Sequence, residues 1–258
     1  MMRRLTIAAL LPLLLATSLG FAQGVDDRLI IPTIAIEPEP GAFGSLWVTE
    51  ISLRYEGWRD RLRFFFPLCP VILCTYLSVE PNRTFSGREL ALGNSPHGRV
   101  LRTDPGDFGQ THISVRARDL SRALDTWGTE IPVVRESEAT TSPITLLNLP
   151  TSDRFRTTIR IYDFADHLPF TPVELTVTVF PLEEEVPLRQ FTIQTAELPS
   201  QLVGFAVVTD LGLPPNPPER LRIVIESNGK TGFWAFATVT NNDTQHITVV
   251  SPSRLEDR

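Results

Sequence analysis

The sequence predicts an all-β protein built from two antiparallel β-sandwich domains in tandem. Three observations carry this prediction: apolar and polar residues alternate with a period of two, Pro and Gly separate the alternating segments, and the chain contains an internal repeat. With 22 Pro, 15 Gly and 42% hydrophobic residues, the chain is too apolar for disorder and too often interrupted for long helices.

The alternation is clearest in the second half. Phe155, Ile159 and Ile161 form an apolar face. The opposite face of this segment is polar: Arg154, Arg156, Thr158 and Arg160. Further strands are expected at residues 29–36, 46–55, 62–66, 75–79, 88–92, 99–102, 111–118, 173–179, 188–193, 203–209, 221–226, 233–240 and 245–250. Seven or eight short strands in each half is the number expected for a β-sandwich.

An internal repeat divides the chain. Residues 47–53 (WVTEISL) match residues 155–161 (FRTTIRI). Two further matches occur in the same order: residues 31–34 with 131–134, and residues 111–119 with 233–241. Their common order favours a duplication. We then predict that a polar stretch at residues 135–142 is a short linker. The predicted domains are residues 23–136 and residues 137–258.

Several of these segments also carry a family resemblance. They are IPTI at 31–34, the turn GAFG at 41–44, the strand starts at Trp47 and Phe155, the Ile131-Pro132 junction, and GFWAFA at 232–237 followed by NNDT at 241–244. Together they resemble a group of secreted bacterial proteins of unassigned function, over most of the chain after residue 22. The resemblance implies paired immunoglobulin-like β-sandwich halves and supplies no catalytic residue. The segment at 69–74 departs from the pattern.

The N-terminus has the features of a secretory signal peptide at residues 1–22. Arg3 and Arg4 precede an apolar stretch at residues 5–15, and a small residue, Ala22, ends the segment. The apolar stretch is well short of the roughly 20 residues that span a bilayer. We therefore expect a secreted protein, periplasmic or extracellular, whose mature chain begins at Gln23 and keeps no membrane span.

Cys69 and Cys74 are expected to form a disulfide, because exported proteins meet an oxidising compartment. Five extended steps cover about 16 Å, whereas bridged Cα atoms lie within about 7 Å, so the segment must fold back on itself. The alternative is two buried free thiols.

The composition argues against several functions. The formal net charge is −6, which disfavours binding of nucleic acids. The four histidines lack the spacing of metal ligands, and no phosphate-binding glycine loop or nucleophile motif occurs. We predict no cofactor, no metal and no catalytic residue.

Two sets of residues form a candidate interaction surface. Arg59, Arg61 and Arg63 would share one face of an extended strand and could bind an anionic glycan, although cross-strand carboxylates are the alternative partners. Trp234 and Phe236 share one face of another strand. If exposed, they could stack on sugar rings; the alternative is burial against the other half.

These features favour a non-enzymatic interaction or structural module whose partner is a surface glycan or an envelope protein. A carbohydrate-binding module would need Trp234 and Phe236 exposed. A periplasmic assembly chaperone would need an unpaired edge strand and basic residues in the groove between the halves. An enzyme would need a pocket with converging titratable groups.

Overall fold

The structure of the chain is a computed structural model that describes residues 27–58, 61–65, 76–104, 106–122, 124, 127–164, 171–198, 203–229 and 231–254. Within these ranges every regular element is a β-strand or a short 3₁₀ turn, which confirms the all-β prediction. The 3₁₀ turns are η1 (Ala42–Gly44), η2 (Asp107–Gln110), η3 (Leu120–Arg122) and η4 (Glu136–Glu138). None of the helical turns in these ranges has the length and apolarity to cross a membrane.

The strands fall into two groups. Those of the first half are β1 (Asp27–Ile31), β2 (Glu39–Pro40), β3 (Leu46–Tyr55), β4 (Leu62–Phe65), β5 (Tyr76–Val79), β6 (Thr84–Ser86), β7 (Arg99–Thr103), β8 (Thr111–Asp119), β9 (Thr129–Glu130) and β10 (Val134–Arg135). Those of the second half are β11 (Ile144–Pro150), β12 (Phe155–Asp163), β13 (Glu174–Pro181), β14 (Arg189–Gln194), β15 (Ala196–Glu197), β16 (Gly204–Val208), β17 (Arg220–Ser227), β18 (Phe233–Asn241), β19 (Ile247–Val250) and β20 (Ser253–Arg254).

Both halves use the same strand order. One sheet of the first half runs β10-β1-β7-β4-β5, and its counterpart in the second half runs β20-β11-β17-β13-β14. In the other two sheets, β8 lies between β3 and β9, as β18 lies between β12 and β19. On their other sides β3 pairs with β6 and β12 pairs with β16. The pairings within these sheets are antiparallel.

The repeated segments also pair in the same register. Trp47 lies opposite Asp119, and Phe155 lies opposite Asn241, which are the positions that the sequence repeat aligns. A common strand order and register are what a duplicated unit would give. The duplication, and a domain boundary at residue 136, stay predictions.

The outer strands differ from those of an immunoglobulin domain. In an immunoglobulin domain the first strand belongs to the sheet that contains the second and fifth strands, and the seventh strand belongs to the sheet that contains the third and sixth. The two-residue β2 is not counted in this comparison. The first strand of this chain, β1, lies beside the sixth, β7. The seventh strand, β8, lies beside the second, β3. The immunoglobulin-like part of the prediction is therefore not confirmed.

Two hydrophobic cores hold the sheets together. The second core lies between the sheets of the second half and includes Ile159, Ile161 and Ile223. The shared core lies between the sheets of the first half and also takes in side chains from the second half: Tyr162, Phe164, Leu198, Val203, Trp234 and Phe236. The two halves therefore meet through an apolar interface.

Strand β18 shows how this interface forms. Successive side chains of a strand point to opposite faces of its sheet. Phe233 and Ala235 enter the second core, whereas Trp234 and Phe236 enter the shared core. Burying a side chain of this size stabilises the fold by about 1.5–3 kcal/mol. The sheet that contains β18 is thus covered on both faces by the chain itself.

The predicted linker is bonded to both halves. Thr140 and Phe233 exchange two backbone hydrogen bonds of 2.9 Å. Arg28 of β1 donates to both carboxylate oxygens of Glu136, at 2.7 and 2.5 Å, and to the carbonyl of Phe164 at 2.9 Å. The segment is therefore bonded to β1 and β18, and Arg28 also joins β1 to the residue that follows β12.

Residues 88–91 form a turn where a strand was predicted at residues 88–92. The Glu89 carboxylate accepts hydrogen bonds from the backbone N–H and the hydroxyl of Ser86, at 2.7 and 3.0 Å. Ala91 adopts a positive φ of 49°. Such local bonds offer the backbone an alternative to a sheet ladder.

Candidate functional site

A cleft of about 280 Å³ opens between the two halves, over the face formed by β12 and β18. Its walls come from both halves: Trp47, Thr49 and Ile131 on one side, and Arg156, Arg160 and Phe236 on the other. The cleft thus combines an apolar and aromatic surface with two cations.

Strand register brings the two arginines to this cleft. Arg160 lies opposite Phe236, and Arg156 lies opposite Thr240. Residues that are two or four apart on a strand share a face, so both guanidinium groups lie on the side of β12 that turns to the first half. Burial lowers the pKa of Arg156 from its usual value. Its guanidinium nevertheless stays protonated, because arginine does not lose its proton in proteins.

Neutral oxygens hold both guanidinium groups. Arg156 donates to the side-chain carbonyls of Asn242, at 2.7 Å, and Gln245, at 2.6 Å. Arg160 donates to the backbone carbonyl of Pro96 at 2.9 Å. Within the described residues neither group forms an ion pair with a carboxylate, so their positive charges are positioned without being neutralised.

Carboxylates near the cleft do not alter this conclusion. Glu39 lines the cleft, but its carboxylate accepts a hydrogen bond from the side-chain amide of Asn94 at 2.7 Å. Arg154, close by in sequence, pairs with Asp243 at 2.9 Å on the surface. Among the described residues that line the cleft, two guanidinium groups stand against one carboxylate, which gives this lining a net positive charge.

A second groove, of about 390 Å³, lies on the first half. Its Arg54 donates to Glu56 at 2.7 Å, and its His112 lies 3.4 Å from the same carboxylate. Its Arg135 donates to the backbone carbonyl of Phe108 at 2.8 Å, like the arginines of the cleft. The cleft between the halves brings two arginines held by neutral oxygens into one site, so it is the stronger candidate for an anionic ligand.

The structure buries the predicted aromatic surface. Trp234 is 6% exposed and Phe236 is fully buried, with their ring centroids 5.0 Å apart. Both pack in the shared core, so they do not form an exposed face for sugar stacking. This outcome corrects their place in the candidate interaction surface, since the first half covers them, although Phe236 does line the cleft.

The predicted arginine row falls mostly outside the described residues. Arg59 and the side chain of Arg63 lie outside them, as do Cys69 and Cys74. Arg61 is exposed just before β4. The anion-binding row and the disulfide therefore stay predictions.

Arg156 and Arg160 were assigned only to the polar face of a half-buried strand by the alternation. A further pattern could have placed them at an interface, because residues 233–237 (FWAFA) are apolar at every position. A strand that is apolar on both faces indicates a sheet that is buried on both faces. Because β12 pairs with β18, the polar face of β12 must then lie close to whatever covers the outer face of this sheet.

Comparisons with known proteins add no family. No family model and no curated protein matches the chain. A solved structure of Broad Bean Stain Virus, determined by cryo-electron microscopy, aligns with 87% of this chain and 97% of its own at 8% identity and a TM-score of 0.22. A score this low carries no argument about the fold. In the part of the chain that the structure describes, no three His, Cys, Asp or Glu side chains are grouped as a metal site.

Proposed function

We propose that this chain is a secreted, non-enzymatic interaction protein of two tandem β-sandwich halves, and that the cleft between them binds an anionic group of its ligand. The observation that carries the proposal is the pair Arg156 and Arg160, which line the cleft and are held by neutral oxygens. Charge-assisted hydrogen bonds from arginine to an anion are among the strongest in proteins.

The chemistry of the cleft favours binding over catalysis. An arginine in a protein has no basic form to accept a proton, so Arg156 and Arg160 offer donors and charge and no proton transfer. The volume of about 280 Å³ is near the lower end of the range for ligand pockets, roughly 300–1,000 Å³. The cleft therefore suits a small molecule or one residue of a polymer.

Titration calorimetry with acetate and with inorganic phosphate tests this proposal. We expect saturable binding of at least one of these anions, and a loss of about tenfold or more in Arg160→Gln, since the variant removes a charge-assisted donor. Arg154→Gln is the matched control, because Arg154 already pairs with Asp243 outside the cleft. The proposal fails if neither anion binds saturably, or if both variants lose the same affinity.

The two alternatives fare differently. A carbohydrate-binding module at Trp234 loses its basis, because that ring is buried. An assembly chaperone is favoured by the two arginines between the halves. Against it, the edge strand β19 beside the cleft already has one backbone carbonyl bonded, since the Thr129 hydroxyl donates to the Ile247 carbonyl at 2.6 Å.

A further inference from the structure

Phe43 combines an exposed aromatic side chain with an unusual backbone conformation. Its side chain is 64% exposed, and its φ of 54° and ψ of 34° lie in the left-handed region. A bulky residue with positive φ is an outlier, and outliers of this kind concentrate at functional sites. Asn or Gly would adopt this conformation more readily.

The turn that carries Phe43 is tightly fixed. The Gly41 N–H donates to the Ser45 carbonyl at 2.9 Å, and the Ser45 N–H and hydroxyl donate to the Ala42 carbonyl at 3.2 and 2.7 Å. A Cβ atom on Gly41 would lie 2.5 Å from ring atoms of Trp47, so the turn sits directly on that ring. The exposed phenyl ring is therefore carried by a turn that is hydrogen-bonded within itself and packed on Trp47.

This ring lies next to the charged part of the cleft. The guanidinium carbon of Arg156 is 5.5 Å from the centroid of the Phe43 ring, within the range of a cation–π contact. Arg156 and Trp47 both line the cleft, and Trp47 supports the turn. Phe43 thus stands at the edge of the cleft, beside a cation that is held by two neutral side-chain oxygens.

We propose that Phe43 contacts the ligand, and that the ligand class is a small aromatic carboxylate. The inference rests on the proposed function, because the carboxylate would bind in the cleft that Arg156 and Arg160 line. The ring of such a molecule would then meet aromatic surface on two sides, since the half-buried Trp47 lines the cleft and Phe43 stands at its edge. Aromatic pairs favour offset or edge-to-face contact at centroid distances of about 4.5–7 Å.

Three probes separate the two parts of this inference: phenylacetate, which has both groups, acetate, which lacks the ring, and phenylacetamide, which lacks the charge. Each is titrated into the wild-type chain and into Phe43→Asn, whose new residue tolerates the left-handed backbone. Phe191→Ala is the matched control, since Arg189 lies 5.3 Å from the Phe191 ring away from the cleft.

We expect the wild-type chain to bind phenylacetate at least about fivefold more tightly than acetate, and to bind phenylacetamide weakly. In Phe43→Asn the preference for phenylacetate over acetate should decrease, because only Trp47 then remains to contact the ring, and in Phe191→Ala the preference should not change. Equal affinity for phenylacetate and acetate, or an unchanged preference in Phe43→Asn, would overturn the inference and leave the proposed function standing. Failure of both carboxylates to bind would overturn the inference, and failure of inorganic phosphate to bind as well would overturn the proposed function.

Discussion

The hydroxyl group of Tyr162, on β12, donates a hydrogen bond of 2.7 Å to the backbone carbonyl of Pro32. The same hydroxyl lies 3.1 Å from the carbonyl of His97. Tyr162 is 1% exposed, so this contact joins a strand of the second half to two loops of the first in the absence of solvent. The cleft lies along the same face of β12, and its shape depends on contacts of this kind.

Tyr162→Phe should lower the free energy of unfolding by about 1–2 kcal/mol, because it removes the donor and leaves the Pro32 carbonyl less satisfied. Tyr55→Phe is the control. The Tyr55 hydroxyl is buried and has no hydrogen-bond partner in the described residues, so its removal should be neutral or stabilising. Urea unfolding of both variants measures the contrast; equal costs would show that the Tyr162 hydrogen bond adds nothing.

Stability should also depend on alkaline pH through Tyr162. Burial raises the pKa of Tyr162 to about 12, with nearby Arg160 opposing the shift. In the unfolded chain the tyrosine hydroxyl has its ordinary pKa near 10, so the folded state binds this proton more tightly than the unfolded state does. The contribution, about 2–3 kcal/mol, is complete below about pH 10 and is lost as the pH rises to about 12. Wild-type stability should therefore fall more steeply over this interval than that of Tyr162→Phe, and parallel pH profiles would contradict the assignment.

Glu136→Ala should destabilise the chain by about 2–3 kcal/mol, because it removes a charged partner from Arg28, which is 3% exposed. Glu37→Ala is the matched control. The Arg88–Glu37 pair spans 3.4 Å with both side chains about 70% exposed, and such pairs contribute little. Chemical denaturation should show a change within about 0.5 kcal/mol for the control. A similar small change for Glu136→Ala would mean that the buried pair does not hold β1 to the linker.

Phe236→Ala should cost about 3–5 kcal/mol and lower hydrogen-exchange protection in both halves, since Phe236 packs in the shared core. Phe233→Ala, on the opposite face of β18, should act mainly on the second half. Exchange followed by mass spectrometry resolves the two patterns. Unchanged protection of the first half in Phe236→Ala would show that the halves are energetically independent.

The sequence pattern located the strands well where one face is buried and the other is solvated. In β3, Ile51 and Leu53 are buried while Glu50 and Ser52 are exposed, as the alternation predicts. The strand prediction for residues 88–92 was wrong, because Ser86 and Glu89 form local hydrogen bonds that the alternation of apolar and polar residues does not indicate.

Alternation also could not reveal how the halves meet. It places Arg156 and Arg160 on a polar face. A strand has the same alternation whether its polar face meets bulk solvent or a polar cleft at an interface. Phe155, expected in the core, is only partly buried at the start of β12. The cleft depends on residues more than 100 positions apart, such as Trp47 and Arg156, and no local pattern encodes that distance.

The cleft lined by Arg156 and Arg160 is proposed to bind an anion. Side-chain Nε–H resonances of arginine, followed by NMR during titrations with acetate and with inorganic phosphate, measure this binding residue by residue. With at least one of the two anions, we expect the resonances of Arg156 and Arg160 to shift along one saturable curve while that of Arg154 stays in place. Uniform, unsaturable shifts of all exposed arginines with both anions, or no shift of Arg156 and Arg160 with either, would contradict this proposal.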